Sequence, residues 1–212
     1  RKESSAASDV YKRQEYRKDF LNSTEKRNLY STSYEQALNL GIYGANLAYT
    51  NIYNKSQDGI YYLDAVTSLA EDLSIGQFFD SNTLRKLIKH NDNLDSLLLL
   101  TTSNFEKINM HLQEKKRSQL SVLFLVGGWI EGVNLLTEVN KLNSSQELKD
   151  RIGEQKDVLV LLIQLLSYFE HDKNVQKTLV DLKKLEAVYK DVNIEFVEGD
   201  TQMKFNPDLG MM

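Results

Sequence analysis

The near absence of helix-breaking residues constrains this fold most. Of 212 residues, one is proline, Pro207, and ten are glycine. Proline inside a helix removes a hydrogen bond and clashes with the preceding turn, so a chain with a single proline near its end can form long uninterrupted helices. Apolar residues recur at spacings of three and four, which is typical of amphipathic helices. We therefore expect an all-α protein, an antiparallel bundle of about seven helices.

Seven segments carry such a stripe. The predicted helices cover about residues 31–54, 57–73, 81–89, 93–116, 118–142, 145–171 and 174–191. Ser31 or Ser33 is the expected cap of the first helix. The helix over 118–142 is apolar around most of its circumference, which places it in the centre of the bundle. Alternating Val192, Ile194 and Phe196 predict a short extended C-terminal tail.

The connections between these segments are short and polar, with no linker rich in proline, glycine or serine, so residues 15–212 are predicted to form a single helical domain. Residues 1–14 (RKESSAASDVYKRQ) lack apolar periodicity. The string SSAASDVYKRQ looks like a junction scar from a truncated reading frame, and a native disordered tail explains its composition equally well. Because the chain begins with Arg1 and not Met, we expect its natural start to be missing, together with any signal peptide or lipid-anchor cysteine.

Composition argues against several classes of function. The net charge is −4 and basic residues are dispersed, so we expect no nucleic-acid partner. The absence of cysteine excludes disulfides and a cysteine nucleophile from these residues. The longest apolar runs, 122–130 and 158–163, are shorter than the ~20 residues that cross a bilayer, so no membrane-spanning segment is predicted.

No motif for metal, cofactor or nucleophilic chemistry is present. His90, His111 and His171 lie near predicted helix ends among charged residues, and none belongs to a Glu-x-x-His or H-E-x-x-H motif. Phosphate-binding glycine loops and a G-x-S-x-G elbow are also missing. The sequence therefore predicts no metal and no cofactor, and it favours a non-enzymatic protein.

The first predicted helix has two different faces. Small residues Gly41, Ala45 and Ala48 follow one side, where a second helix can approach closely. Polar and aromatic residues at the same spacing follow another side. We call this set the polar face: Tyr43, Asn46, Thr50, Tyr53 and Gln57.

A second polar set, Glu131, Asn134 and Glu138, interrupts the most apolar helix, and Glu131 is the carboxylate we expect to be partly buried. If the two sets face each other, they form a ligand-binding pocket. A hydrogen-bond network that satisfies itself and a tyrosine-rich partner surface are the two other interpretations. The predicted ligand-binding residues are Tyr43, Asn46, Thr50, Tyr53, Gln57, Glu131 and Asn134.

Residues 40–75, and mainly the Y-G-A-N-L-A-Y core over Tyr43–Tyr49 with the Tyr53/Gln57 pair after it, resemble a group of uncharacterised exported helical proteins of anaerobic Gram-negative bacteria. These are often predicted lipoproteins. The resemblance implies a helical fold, a location in the cell envelope or periplasm and a lipid anchor on the missing N-terminus. It implies no catalytic residue.

Three functional hypotheses follow. The first is a non-enzymatic, envelope-associated helical protein that binds a protein partner or a small ligand through the polar face. The second is an enzyme whose acid or base is Glu131, since burial raises the pKa of a carboxyl group toward neutral pH. The third is a cytosolic helical adaptor that pairs through exposed stripes.

Overall fold

A multi-helix bundle is confirmed by the computed structural model, which describes residues 15–79 and 94–194, with only the backbone described over 94–103. The described helices are α1 (Ser33–Ile52), α2 (Ser56–Asp72), α3 (Leu94–Glu114), α4 (Ser118–Leu142), α5 (Gln146–Ser167) and α6 (Lys173–Tyr189). Three short 3-10 segments accompany them, Lys18–Phe20, Thr24–Leu29 and Gly76–Phe78. The described part of the chain contains no strand, and the protein is all-α as predicted.

Two predicted elements lie partly or wholly beyond these residues. The helix expected over 81–89 falls outside the described ranges. Of the expected extended tail, residues 192–194 are described and form no strand, and the rest falls outside.

Side-chain caps fix where the helices begin. The first helix is capped by Thr32, and neither Ser31 nor Ser33 has that role. Thr32 Oγ1 accepts from the backbone N–H of Glu35, and the Glu35 carboxylate accepts from the backbone N–H of Thr32. This capping box satisfies two helix-end donors at once, which a lone serine at position 31 or 33 does not do. Ser145 and Asp172 cap α5 and α6.

The core is one cluster of buried side chains to which α1 through α6 all contribute. Helix α4 supplies Leu120, Val122, Leu123 and Val126 to it and makes its most extensive contact with α1. The predicted central position of this helix is therefore confirmed. A hydrogen bond between the hydroxyls of Tyr34 and Thr178 joins α1 to α6.

Glycines allow α1 and α4 to touch through their backbones. A Cβ on Gly41 would lie 2.0 Å from the carbonyl oxygen of Phe124, and a Cβ on Gly127 would lie 1.9 Å from that of Leu38. Since neither backbone oxygen can move without distorting its helix, only glycine fits at these two positions. The close helix approach predicted at Gly41 is found at this crossing, and Gly127 is its counterpart on α4.

Helices α1 and α4 run in the same direction. Their contacts advance together along both helices, from Arg117 beside Ser33, through Gly127 beside Leu38, to Glu131 beside Asn46. By contrast, α3 and α4 are antiparallel, with Ser121 bonded to Asn109 and Phe124 beside Phe105. The bundle therefore contains both an antiparallel pair, α3 and α4, and a parallel pair, α1 and α4.

Helix α4 is also long and apolar enough to cross a membrane. Within the bundle, 44% of its most apolar stretch is buried, so core packing accounts for part of that composition. The prediction that no segment spans a membrane stays a prediction.

Helix α5 carries apolar residues on two sides. Leu159, Leu162 and Leu166 face the core. A neighbouring side presents an exposed stripe to solvent, at spacings of three and four residues: Val158, Leu161, Leu165 and Tyr168.

Candidate functional site

The polar face of α1 is covered by the chain's own N-terminal segment. Residues 16–30, which we call the strap, form two 3-10 turns and lie across α1 and α2. Tyr30 packs near Tyr43, with ring centroids 6.3 Å apart, and its carbonyl accepts from the Gln36 amide at 3.2 Å. The strap ends just before the capping box at Thr32, so its C-terminal end is anchored at the start of α1.

Side chains of α1 and α2 bind the strap mainly through its backbone. The Tyr43 hydroxyl donates to the carbonyl of Ser23 at 2.9 Å, and the Tyr62 hydroxyl donates to that of Asn22 at 2.7 Å. The N–H of Asn22 donates to Asn46 Oδ1 at 2.9 Å. The N–H of Arg17 donates to the Tyr49 hydroxyl at 3.3 Å. Four backbone atoms between Arg17 and Ser23 are thus held by side chains of the bundle.

Asp58 of α2 receives two side chains of the strap. The Tyr16 hydroxyl donates to its Oδ2 at 2.8 Å, and Lys18 Nζ donates to its Oδ1 at 2.6 Å. The Tyr16 ring lies 5.7 Å from Tyr49 and 5.8 Å from Tyr53, centroid to centroid. We call the set Tyr43, Asn46, Tyr49, Asp58 and Tyr62 the strap-binding surface.

Beneath this surface lies a buried carboxylate. Glu131 of α4 is 4% exposed and Asn46 is fully buried, and the Asn46 amide donates to Glu131 Oε1 at 2.5 Å. The side chains of Asn22 and Asn134 also hydrogen bond this carboxylate. Asn46 therefore links Glu131 to the strap, since its amide nitrogen donates to the carboxylate and its oxygen accepts from the backbone of Asn22.

Burial changes the acidity of several of these groups. Desolvation raises the pKa of Glu131, and the hydrogen bonds from Asn46, Asn22 and Asn134 offset part of that rise. Burial, together with the charges of Asp58 and Glu131, raises the pKa of Tyr62 to about 12. Burial by itself would raise the pKa of Asp58. The hydrogen bonds from Lys18 and Tyr16 outweigh this effect, so the pKa is lowered. Tyr62 thus donates as a neutral phenol, and Asp58 accepts as a carboxylate.

The seven predicted ligand-binding residues divide into three groups. Asn46 and Glu131 are brought together in the interior, as expected if the two polar sets face each other. Tyr43 bonds the strap, and Thr50 is buried with its hydroxyl donating to the Leu47 carbonyl of its own helix at 2.7 Å. Of the remaining three, Asn134 is exposed but hydrogen bonds Glu131, Tyr53 is partly buried beside the Tyr16 ring, and Gln57 is exposed.

Sequence reasoning missed the strap and its partners Tyr49, Asp58 and Tyr62. The lead-in from Glu15 to Arg27 shows no apolar period, so nothing local predicts that it docks. One signal does exist in hindsight: Tyr16, Phe20 and Leu21 are large apolar or aromatic residues in a polar stretch, and such residues usually find a packing partner.

A small cavity of about 10 Å³ lies elsewhere, between α1, α3 and α4. Its walls are mostly apolar and include none of the seven predicted residues: Ala37, Leu40, Leu73, Ile75, Ile108, Leu112, Leu120, Ser121 and Phe124. A space of this size admits about one water molecule. Over the two described stretches, no group of three or more His, Asp or Glu side chains is placed to hold a metal ion.

The fold and this surface define the class of the protein: an all-α bundle that binds an N-terminal segment of its own chain, the strap. Comparison of the chain with family models, curated proteins and solved structures gave no match.

Proposed function

We propose that this protein is a non-enzymatic, envelope-associated protein that binds a protein partner by holding a peptide segment of that partner on its strap-binding surface. The observation that carries the proposal is the set of four hydrogen bonds from bundle side chains to backbone atoms of residues 17–23. Bonds to backbone atoms supply affinity for an extended peptide, whichever side chains it carries. The strap occupies the surface in the way that a partner segment would.

Binding is favoured over catalysis by the surroundings of Glu131. Three amides already bond this carboxylate, and the small cavity between α1, α3 and α4 is lined by other residues. An acid or base must reach its substrate within hydrogen-bond distance. Asn46 and Asn22 lie between Glu131 and the surface. Glu131 is therefore better placed to hold the strap-binding surface in position than to act on a substrate.

The envelope location rests on the resemblance of Tyr43–Tyr49 and the residues after it to exported helical proteins. The test is the reading frame upstream of Arg1. A signal peptide ending in a lipobox cysteine would support the location, and an upstream cytosolic domain would contradict it.

The peptide-binding proposal is tested with the full chain, because the strap competes with any added peptide. A strap tethered beside its site acts at a high effective concentration, which masks binding from solution. The substitutions Tyr16→Ala, Lys18→Ala and Asn22→Pro weaken the strap and leave the strap-binding surface intact. A labelled peptide of residues 15–24 (EYRKDFLNST) should bind this strap-weakened variant at least about tenfold more tightly than wild type, measured by fluorescence anisotropy.

Removing two hydrogen-bond donors from the strap-binding surface should weaken peptide binding. In the strap-weakened variant, Tyr43→Phe with Tyr62→Phe should weaken peptide binding about thirtyfold, because each of the two lost hydrogen bonds is worth about 1 kcal/mol. Tyr61→Phe, at the neighbouring half-exposed position, is the control and should leave affinity unchanged. Circular dichroism verifies that each variant is folded. Absence of peptide binding to the folded strap-weakened variant would overturn the proposal, and so would an equal loss in the Tyr61→Phe control.

A helical adaptor is the second candidate, and the exposed stripe on α5 favours it. Leu161 is 58% exposed and Tyr168 is 81% exposed, which is typical of a surface that pairs with another helix. In an adaptor, partner binding would be lost on Leu161→Glu and unaffected by Tyr62→Phe. The reverse result favours the strap-binding surface.

A further inference from the structure

We infer that the strap-binding surface selects peptides in which a tyrosine is followed two positions later by lysine or arginine, with Asp58 as the selecting group. This inference rests on the proposed function and names the chemistry of the partner segment. The backbone contacts at Tyr43, Asn46, Tyr49 and Tyr62 do not distinguish one sequence from another, so selection has to come from side-chain contacts. Asp58 makes two of these.

The tyrosine position is defined by rings and by a hydroxyl acceptor. The ring of Tyr16 lies against Tyr49 and Tyr53, whose own centroids are 4.7 Å apart, and Lys55 Nζ lies 5.3 Å from the Tyr16 ring centroid. At the far end of that ring, the hydroxyl donates to Asp58 Oδ2 at 2.8 Å. Phenylalanine fills the same space but leaves that carboxylate oxygen without its phenolic donor, which costs affinity.

The basic position is defined by the other oxygen of the same carboxylate. Lys18 Nζ lies 2.6 Å from Asp58 Oδ1, with the lysine side chain 66% exposed and the aspartate side chain 16% exposed. An exposed ion pair adds little affinity by itself. A glutamate at this position is different, because its charge would face the half-buried carboxylate directly and repel it.

The spacing of two follows from the backbone. Arg17 has extended dihedral angles, φ −121° and ψ 100°. In an extended chain, side chains at positions i and i+2 point to the same side, so Tyr16 and Lys18 reach one carboxylate together while Arg17 points away. Arg17 instead pairs with Asp19 of the strap at 2.6 Å. The middle position is thus free of the selecting group.

A panel of peptides against the strap-weakened variant tests this selection. Relative to EYRKDFLNST, the Tyr-to-Phe peptide should bind about tenfold more weakly, since the lost bond is to a charged acceptor. The Lys-to-Glu peptide should bind at least about fivefold more weakly. With Asp58→Asn in the protein, the affinities of the Tyr-to-Phe and Lys-to-Glu peptides should lie within about twofold of the affinity of the parent peptide. Asp72→Asn, at the exposed end of the same helix, is the control and should preserve the full discrimination.

The outcomes separate this inference from the proposed function. If the parent peptide binds, and Tyr43→Phe with Tyr62→Phe weakens it, but all three peptides bind equally, selection by Asp58 is overturned while peptide binding stands. If no peptide binds, the proposed function itself fails. A second measurement needs no peptide. In the full chain with the native strap, the effects of Tyr16→Phe and Asp58→Asn on the free energy of urea unfolding should be non-additive. Strict additivity would overturn the contact on which selection depends.

Discussion

Glu131 is the residue on which the interior of this surface depends. A carboxylate that is 4% exposed has lost most of its water, and the amides of Asn46, Asn22 and Asn134 replace that hydration only in part. Its pKa is therefore raised above the ordinary 4.5. The ionised form makes the folded state less stable than the protonated form does, yet it is the form that accepts hydrogen bonds from all three amides.

The free-energy cost of burying the ionised Glu131 carboxylate should appear in the pH dependence of stability. A carboxyl group whose pKa is raised on folding contributes stability below its unfolded pKa, and that contribution is lost as pH rises through the folded value. The Glu131→Gln variant carries no such titration. Its melting temperature should therefore rise relative to wild type as the pH is increased from 4.5 to 8, measured by thermal denaturation.

The control is Glu170→Gln, which removes one negative charge at an exposed position. Its melting temperature should follow that of wild type across the same pH range. A constant difference between Glu131→Gln and wild type at every pH would contradict the buried, desolvated carboxylate.

At the scale of elements, the contact between α1 and α4 positions the polar groups. Gly41 and Gly127 let the two backbones meet, and the next turns then bring Asn46 beside Glu131. Because this pair of helices is parallel, contacts advance along both in step. The small residues and the buried polar pair are consecutive parts of one interface.

Adding one methyl group at this crossing should be costly. A Cβ at position 41 lies 2.0 Å from a backbone oxygen, so Gly41→Ala forces the helices apart and should lower the free energy of unfolding by about 2–3 kcal/mol, measured by urea denaturation. Gly132→Ala on α4 is the matched control, since a Cβ there has no neighbour within 4 Å. It should stabilise by roughly 0.5–1 kcal/mol, the usual gain of alanine over glycine in a helix. Equal effects at both positions would contradict the backbone contact.

Much of this framework could be predicted from sequence. The apolar residues at spacings of three and four predicted a helix over about 174–191, where α6 lies, and the apolar circumference of 118–142 predicted a central helix. Glu131 was predicted to be partly buried because apolar residues surround it in the chain, and its burial is confirmed. These successes share a cause: each depends on a period within one helix, which local sequence records.

The strap could not be predicted in the same way. Its contacts join Tyr16 to Asp58 and Asn22 to Tyr62, residues far apart in the chain, and four of its bonds involve backbone atoms that every residue possesses. Tyr43 and Asn46 were identified by their spacing, but what they bind was not. A polar stripe on a helix is compatible with a pocket, a network or a docked segment, and only the tertiary structure distinguishes them.

At the scale of the whole molecule, the strap ties three helices together. It contacts α1 through Tyr43 and Asn46, α2 through Tyr62 and Asp58, and α4 through the hydrogen bond between Asn22 and Glu131. Displacing it would expose the tyrosine hydroxyls and leave Glu131 with fewer donors. A partner segment that replaces the strap must therefore supply similar backbone groups, which is why a peptide with the backbone path of the strap is the partner this surface fits.

Amide hydrogen exchange at Asn22 tests the docked strap most directly. In wild type, the N–H of Asn22 should exchange at least about tenfold more slowly than in the free peptide of residues 15–24, because Asn46 Oδ1 accepts it at 2.9 Å. In Asn46→Ala that protection should be lost, while amides within α6, such as that of Leu182, stay protected. Exchange of Asn22 at the free-peptide rate in folded wild type, with Leu182 protected, would contradict the docked strap and the binding function proposed from it.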